Sequence, residues 1–126
     1  MVVLDTSALL FLTIDPTKLT PRVRETIAEA DRLIISSISV WEIAQKVSRG
    51  KIEIGPTIEE YIAGLHQLEG LEILSVDVET WLMAVKLDWS HRDPADRIIV
   101  ATAMRLRCPL ITSDRVIGAY YAATVW

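Results

Sequence analysis

Short apolar runs of strand character alternate with helical segments along this chain, and four of the junctions carry a carboxylate. Asp5 follows Val2-Val3-Leu4, and Glu42 lies behind Leu33-Ile34-Ile35. Asp96 opens the run Ile98-Ile99-Val100, and Asp114 follows Pro109-Leu110-Ile111-Thr112. Strands alternating with helices require a parallel sheet covered by helices on both faces. In such a sheet the strand ends converge on one edge, where ligands bind. Residues distant in sequence are therefore expected to share one acidic pocket.

The local signals place strands at 2–5, 33–36, 71–76, 109–112 and 124–126. Helices are expected at 7–12, 21–30 with Pro21 as first residue, 40–49 ended by Gly50, and 57–68 with Thr57 as cap and Gly70 beyond. Three more are expected at 77–87, 94–107 and 115–121. The helix opened by Pro94 is apolar nearly all round in its first half, through Ile98, Ile99, Ala101, Thr102 and Ala103. A helix of that kind is buried on most sides, so the core itself would fix Asp96.

At 126 residues, 51% hydrophobic and 24% charged, the chain reads as one globular domain over 1–126. No stretch approaches the roughly 18 apolar residues of a membrane span. The first residues lack the basic region of a secretion signal, and the lone Cys108 permits no internal disulfide. A cytoplasmic location away from membranes is expected, with Cys108 a small buried hydrophobe. The net charge of −4 argues against a nonspecific nucleic-acid coat. An enzyme that acts on nucleic acid through an acidic metal site is compatible with it.

Each carboxylate also has a structural reading. Asp5 and Asp114 suit helix N-caps, and Ser39-Val40-Trp41-Glu42 spells a capping box. Asp93-Pro94 reads as N-cap then first residue, which leaves Asp96 two positions further on, near the positive helix end. Taken together the four raise a different problem. Two carboxylates about 5 Å apart repel by roughly 3 kcal/mol at an effective dielectric near 20. Helix N-termini offset about 0.3–1 kcal/mol each. A divalent cation offsets far more, and oxygen donors without a histidine cluster suit Mg²⁺, with Mn²⁺ as substitute, rather than zinc. His66 reads as a surface residue and His91 as a structural loop residue.

At these positions the chain closely resembles the PIN-domain family, and within it the VapC-type toxins. The carrying blocks are Val3-Leu4-Asp5-Thr6-Ser7-Ala8-Leu9-Leu10, Ser37-Ile38-Ser39-Val40-Trp41-Glu42-Ile43, His91-Arg92-Asp93-Pro94-Ala95-Asp96-Arg97-Ile98-Ile99-Val100-Ala101-Thr102-Ala103, and Leu110-Ile111-Thr112-Ser113-Asp114. They stand in family order across the whole chain. The resemblance implies a three-layer α/β/α sandwich on a mainly parallel five-stranded sheet. It implies a Mg²⁺-dependent endoribonuclease, the toxin of a type II toxin–antitoxin system. RNA as substrate, a cognate antitoxin as partner and a homodimer follow from it. The family's acidic positions fall on Asp5, Glu42, Asp96 and Asp114, with Asp93 the alternative for the third. Ser7 and Thr112 match hydroxyl positions that hold the carboxylates or a water.

Asp5 and Asp96 are the first choice for direct metal ligands, with Asp114 and Glu42 acting through water, at a second ion or on the nucleophile. On the helix at 40–49, Glu42, Lys46 and Arg49 share a face, where phosphate binding competes with a plain Glu–Lys pair. Arg97 is a further candidate phosphate contact. Of Trp41, Trp81, Trp89 and Trp126, most are expected to be buried packing rather than base-stacking residues. The acid pair and lysine of a receiver domain are missing, as are the Asp-x-Asp of a haloacid-dehalogenase phosphatase, a P-loop and a Gly-x-Gly-x-x-Gly turn. An RNA-processing nuclease outside a toxin pair and a non-catalytic metal- or RNA-binding module stand as the alternatives.

Overall fold

Three consecutive apolar residues that can bury both faces need neighbours on both edges, and Val2–Leu4 has them. This strand, β1, pairs in parallel with β2 (Leu33–Ser36) on one side and β4 (Leu110–Ile111) on the other. β3 (Leu71–Leu74) extends the sheet beyond β2 and β5 (Thr124–Val125) beyond β4, giving the order β3-β2-β1-β4-β5. Every pairing is parallel, so the sheet is wholly rather than mainly parallel. The computed structural model describes residues 1–126.

Alternation along the strands divides the core between two faces. Val2, Leu4, Ile35 and Ile111 pack with α1 (Thr6–Ile14), α2 (Pro21–Glu29), α3 (Ser37–Ser48) and α4 (Ile58–Gln67). Val3, Ile34 and Leu110 pack on the opposite face with α6 (Pro94–Leu106) and α7 (Arg115–Tyr120). α5 (Val78–Lys86) rests on α6, where Ala84 meets Ile98 and Ala101. The result is a three-layer α/β/α sandwich. Cys108 is buried in the second layer, as its neighbours led us to expect.

Two elements depart from the sequence reading. α3 begins at Ser37 rather than 40, because the Ser36 hydroxyl accepts the Ile38 N–H at 3.3 Å. Glu42 therefore lies in the second turn and has no capping-box role. A 3₁₀ turn at Pro16–Lys18, unforeseen, follows α1. The crowded early apolar segment is partly absorbed: Leu9 is fully buried, Leu10, Phe11 and Leu12 pack at the core margin, and Ile14 is exposed.

Arg97 is corrected outright. All five guanidinium N–H groups donate to backbone carbonyls: Ala84 (2.9 Å), Val85 (3.2 Å), Leu87 (2.8 Å), Trp89 (2.7 Å) and His91 (2.9 Å). No donor is left for a phosphate. The side chain instead takes up carbonyls at the C-terminal end of α5 that have no helical partner, and it ties the loop before α6 to that helix. Arg97→Lys keeps the charge but replaces a planar five-donor fork with three donors on one atom. We expect a loss of about 2 kcal/mol or more in urea unfolding, given on the order of 1 kcal/mol for each carbonyl stripped of its partner. An unchanged denaturation midpoint would contradict this role.

Candidate active site

The order of strands in the sheet reverses between β1 and β4, and the crevice outside their C-terminal ends is where an open α/β sheet binds ligands. Asp5 is the single residue between β1 and α1; its Oδ1 accepts the Ala8 N–H at 2.8 Å and it is 6% exposed. Asp114 stands in the same relation to α7, accepting the Val116 N–H at 2.8 Å, while its own N–H donates to the Thr112 hydroxyl at 3.0 Å. At α6 the cap is Asp93, which accepts the Asp96 N–H at 3.0 Å. Asp96 is thereby free of capping duty, and its Oδ2 lies 2.7 Å from His91 Nε2. Glu42 reaches in from α3 and accepts a hydrogen bond from the Thr6 hydroxyl, which lies 2.8 Å from Ser39 Oγ.

These side chains share one cavity of about 210 Å³ with no apolar residue in its wall: Asp5, Thr6, Ser7, Glu42, Lys46, Asp96, Ser113 and Asp114. Four carboxylates from four segments and one lysine meet there. Thr112 is buried and holds Asp114, while Asp93 and Arg49 line the adjoining groove. Lys46 faces both spaces and makes no ion pair with Glu42. Thr6, His91 and Ser113 were not singled out as site residues from sequence. Thr6 and Ser113 each adjoin a singled-out acid, which is a usable signal. His91 reaches Asp96 only through the loop's path, which no periodicity reports.

Desolvation dominates the electrostatics. Burial pushes Asp5 up to about 6, the charges of Asp96 and Asp114 add to it, and the Thr112 hydroxyl and Ala8 amide oppose it. Burial likewise raises Glu42, against the Thr6 hydrogen bond and with Asp93 and Asp96 contributing. Asp96 is raised by burial too, with His91 pulling the other way. Three neighbouring acids that hold protons too tightly mark a pocket short of positive charge.

No three of these side chains close around a single point. Magnesium keeps several waters and is held through one or two carboxylates rather than an all-protein cage, so it does not require such a cluster. The donor set, carboxylate and hydroxyl oxygens without sulfur, is of the right hardness. The residues fit a hard divalent cation.

Comparison with known proteins places the chain in context. The profile of the PIN domain matches residues 2–122. The chain is 29% identical over 130 residues to "Ribonuclease VapC22" of Mycobacterium tuberculosis, covering 99% of this chain and 98% of that protein. A toxin–antitoxin complex from Klebsiella pneumoniae superposes with a TM-score of 0.70 at 19% identity, over 100% of this chain and 97% of the other. Mycobacterium tuberculosis VapC20, described as a sarcin–ricin loop cleaving toxin, superposes with a TM-score of 0.69 at 14% identity and 94% coverage of both chains. These two structures share the fold.

The raised proton affinity of Asp5 has a measurable consequence in metal-free protein. With the folded value near 6 and the unfolded value at 3.8, the folded state binds this proton more tightly. Its stabilising contribution is complete below about pH 4 and is lost as pH rises through about 6, a change of roughly 3 kcal/mol. Glu42 and Asp96 shift in the same direction. Asp5→Asn keeps an Oδ1 acceptor for Ala8 while removing the charge. In EDTA it is expected to be the more stable protein at neutral pH, with a flatter pH profile in urea unfolding. A loss above about 1 kcal/mol at neutral pH would mean that capping outweighs desolvation.

Proposed function

We propose, on the premise that this chain belongs to the PIN domain family, that it is a divalent-metal-dependent endoribonuclease. In this reading the whole of 1–126 is one nuclease domain, the toxin of a type II toxin–antitoxin pair. One observation carries it: four carboxylates from β1, α3, α6 and β4 share a cavity with no apolar wall, and burial holds three of them above their ordinary proton affinity. The name of the mycobacterial relative supports ribonuclease activity, and the antitoxin-bound structural neighbour supports a protein partner.

A bound Mg²⁺ or Mn²⁺ supplies an activated water and charge relief on the phosphoryl oxygens. Asp5 and Asp96 would hold it, each steadied from behind: Asp5 by the Ala8 amide and Asp96 by the His91 ring. Glu42 and Asp114 would act through water, at a second ion or on the nucleophile. Thr6 keeps the Glu42 carboxylate from rotating away, while the Asp114 carboxylate is held by the Val116 amide and its backbone N–H by the Thr112 hydroxyl. Lys46 reaches the scissile phosphate, with Arg49 further along the strand's path. The Ser7 hydroxyl steadies a water within the same cavity.

Two apolar surfaces fit the partners. A groove of about 570 Å³ runs past Leu12, Ile14, Ile27, Ile54 and Leu68, with Ile14 and Leu68 46% and 44% exposed at its rim. It suits the apolar face of an antitoxin helix. Val78, Leu82 and Val85 form an exposed stripe at helical spacing on α5, suited to a second copy of the chain. Val85→Glu is expected to shift sedimentation from dimer to monomer, and a wild type that is monomeric at micromolar concentration would remove that assignment. The chain has no helix long and apolar enough to cross a membrane.

Asp96→Asn should nearly abolish Mg²⁺-dependent RNA cleavage and weaken metal binding, with little loss of metal-free stability. Asp93→Asn should keep substantial activity because Asn caps as well as Asp, whereas Asp93→Ala should cost about 0.5–2 kcal/mol. The reverse ranking of the two asparagine variants would transfer the third ligand to Asp93. Mn²⁺ at a hundredfold excess over its dissociation constant should stabilise the wild type by about 2.7 kcal/mol and Asp96→Asn by much less. No shift in melting temperature for the wild type would refute a native-state metal site.

A further inference from the structure

The four tryptophans divide into two pairs. Trp41 and Trp81 are 55% and 46% exposed, against the expectation that most are buried packing. Trp126 packs against Phe11 at 6.0 Å, and Trp89 stacks on Tyr120 with centroids 4.6 Å apart and planes 10° from parallel. Trp89 has a second aromatic neighbour. The His91 imidazole lies 4.7 Å from its ring, tilted by 44°, and presents Nε2 to Asp96 Oδ2 at 2.7 Å.

The backbone that carries these rings is fixed as well. Arg97 Nη1 donates to the carbonyls of Trp89 and His91 at 2.7 and 2.9 Å, and the Trp89 N–H donates to the Leu87 carbonyl at 2.8 Å. The loop over 87–93 is thus tied to the first turn of α6. The His91 and Asp96 side chains are 25% and 21% exposed, so the bond between them is largely withdrawn from water and electrostatically stronger for it. His91 does not line the acidic cavity; it meets the site only through Asp96.

Asp96 needs such a hold more than its neighbours do. Asp5 and Asp114 are oriented by amides of the helices they cap, whereas α6 is capped by Asp93 and Asp96 receives no amide. The terminal torsion of an aspartate is broad, so an unheld carboxylate rotates easily. An ionised carboxylate only accepts, and Nε2 therefore carries the hydrogen of the bond to Oδ2. Oδ1 accepts no hydrogen bond from the protein and is left for another partner.

We propose that His91 is a positioning residue for the metal-assisted reaction: seated on Trp89, its Nε2–H holds Asp96 in the orientation that offers Oδ1 to the cation. The inference rests on the reading of Asp96 as a metal ligand. It adds that a loop outside the cavity decides how well that ligand binds. A donor also draws charge from the carboxylate, which alone would weaken its bond to a cation. Orientation outweighs that loss here, and hydrogen-bonded partners of ligating carboxylates typically account for about 10–100-fold in metal affinity.

The test is calorimetric titration with Mn²⁺ alone, with urea unfolding in EDTA as a separate readout of folding. His91→Gln places an amide N–H near the position of Nε2, and His91→Asn places it near Nδ1. His91→Phe keeps a ring against Trp89 but has no donor. His91→Gln should bind Mn²⁺ close to wild type, while His91→Asn and His91→Phe should each bind about tenfold or more weakly. In RNA cleavage the half-saturating Mg²⁺ concentration should rise in step for those two while KM for RNA stays unchanged. A merely loosened fold would not produce that split. Should unfolding in EDTA show that His91→Phe does not fold, His91→Gln against His91→Asn carries the same comparison. Wild-type or higher affinity in His91→Phe overturns the positioning role, and so does a His91→Gln that binds no better than His91→Asn. Asp96→Asn separates the two readings. If it binds Mn²⁺ as tightly as wild type, Asp96 is no ligand and both fall; if it loses binding while His91→Phe does not, only the positioning role falls.

Discussion

Helix α6 has almost no side that faces water between Ala95 and Ala103, and the arrangement of the molecule follows from that burial. Its small and β-branched residues bring the sheet to one flank and α5 to another. A helix so enclosed cannot slide or rotate without opening voids against β1 and β2, since protein interiors are packed like crystals. Whatever stands on its first turn inherits that rigidity. Asp96 faces the acidic cavity, Arg97 faces away and collects five carbonyls, and Asp93 closes the end. Three adjacent tasks are separated by the helical rotation between neighbouring residues.

The acidic cavity draws on the same economy of parts. Asp5 and Asp114 are caps and cavity walls at once: one oxygen of each meets the N-terminal amides of the helix that leaves the sheet. The positive end of that helix then acts on the carboxylate it is capped by. This compensation is incomplete for Asp5, whose pKa still rises to about 6. The residual strain is electrostatic and localised, so a cation can relieve it without moving the backbone. The capping and ligand readings of these aspartates thus describe the same residues rather than competing for them.

Much of this was legible before any coordinates. The strand–helix alternation located all five strands and seven helices, because most helices opened on a cap or a proline at the expected place. The convergence of Asp5, Glu42, Asp96 and Asp114 followed from parallel topology alone. What escaped depended on three-dimensional neighbours. The earlier start of α3 turned on which of several serines capped it, and Ser36, Ser37 and Ser39 are alike in sequence. Arg97 looked like a phosphate ligand because a lone arginine beside an aspartate says nothing of the carbonyls across the loop. The exposure of Trp41 and Trp81 was likewise invisible, since helical periodicity marks an apolar position without telling whether another layer covers it.

The stack of Tyr120, Trp89 and His91 links two walls of the cavity that sequence keeps far apart. α7 starts at Asp114 and ends at Tyr120; Tyr120 lies flat on Trp89, and Trp89 leans on the imidazole that braces Asp96. This short helix therefore has a carboxylate at one end and, at the other, a chain of three rings leading to a second carboxylate. Those two oxygen donors are thus joined by aromatic contacts on the α6–α7 face of the sheet as well as by the elements that carry them.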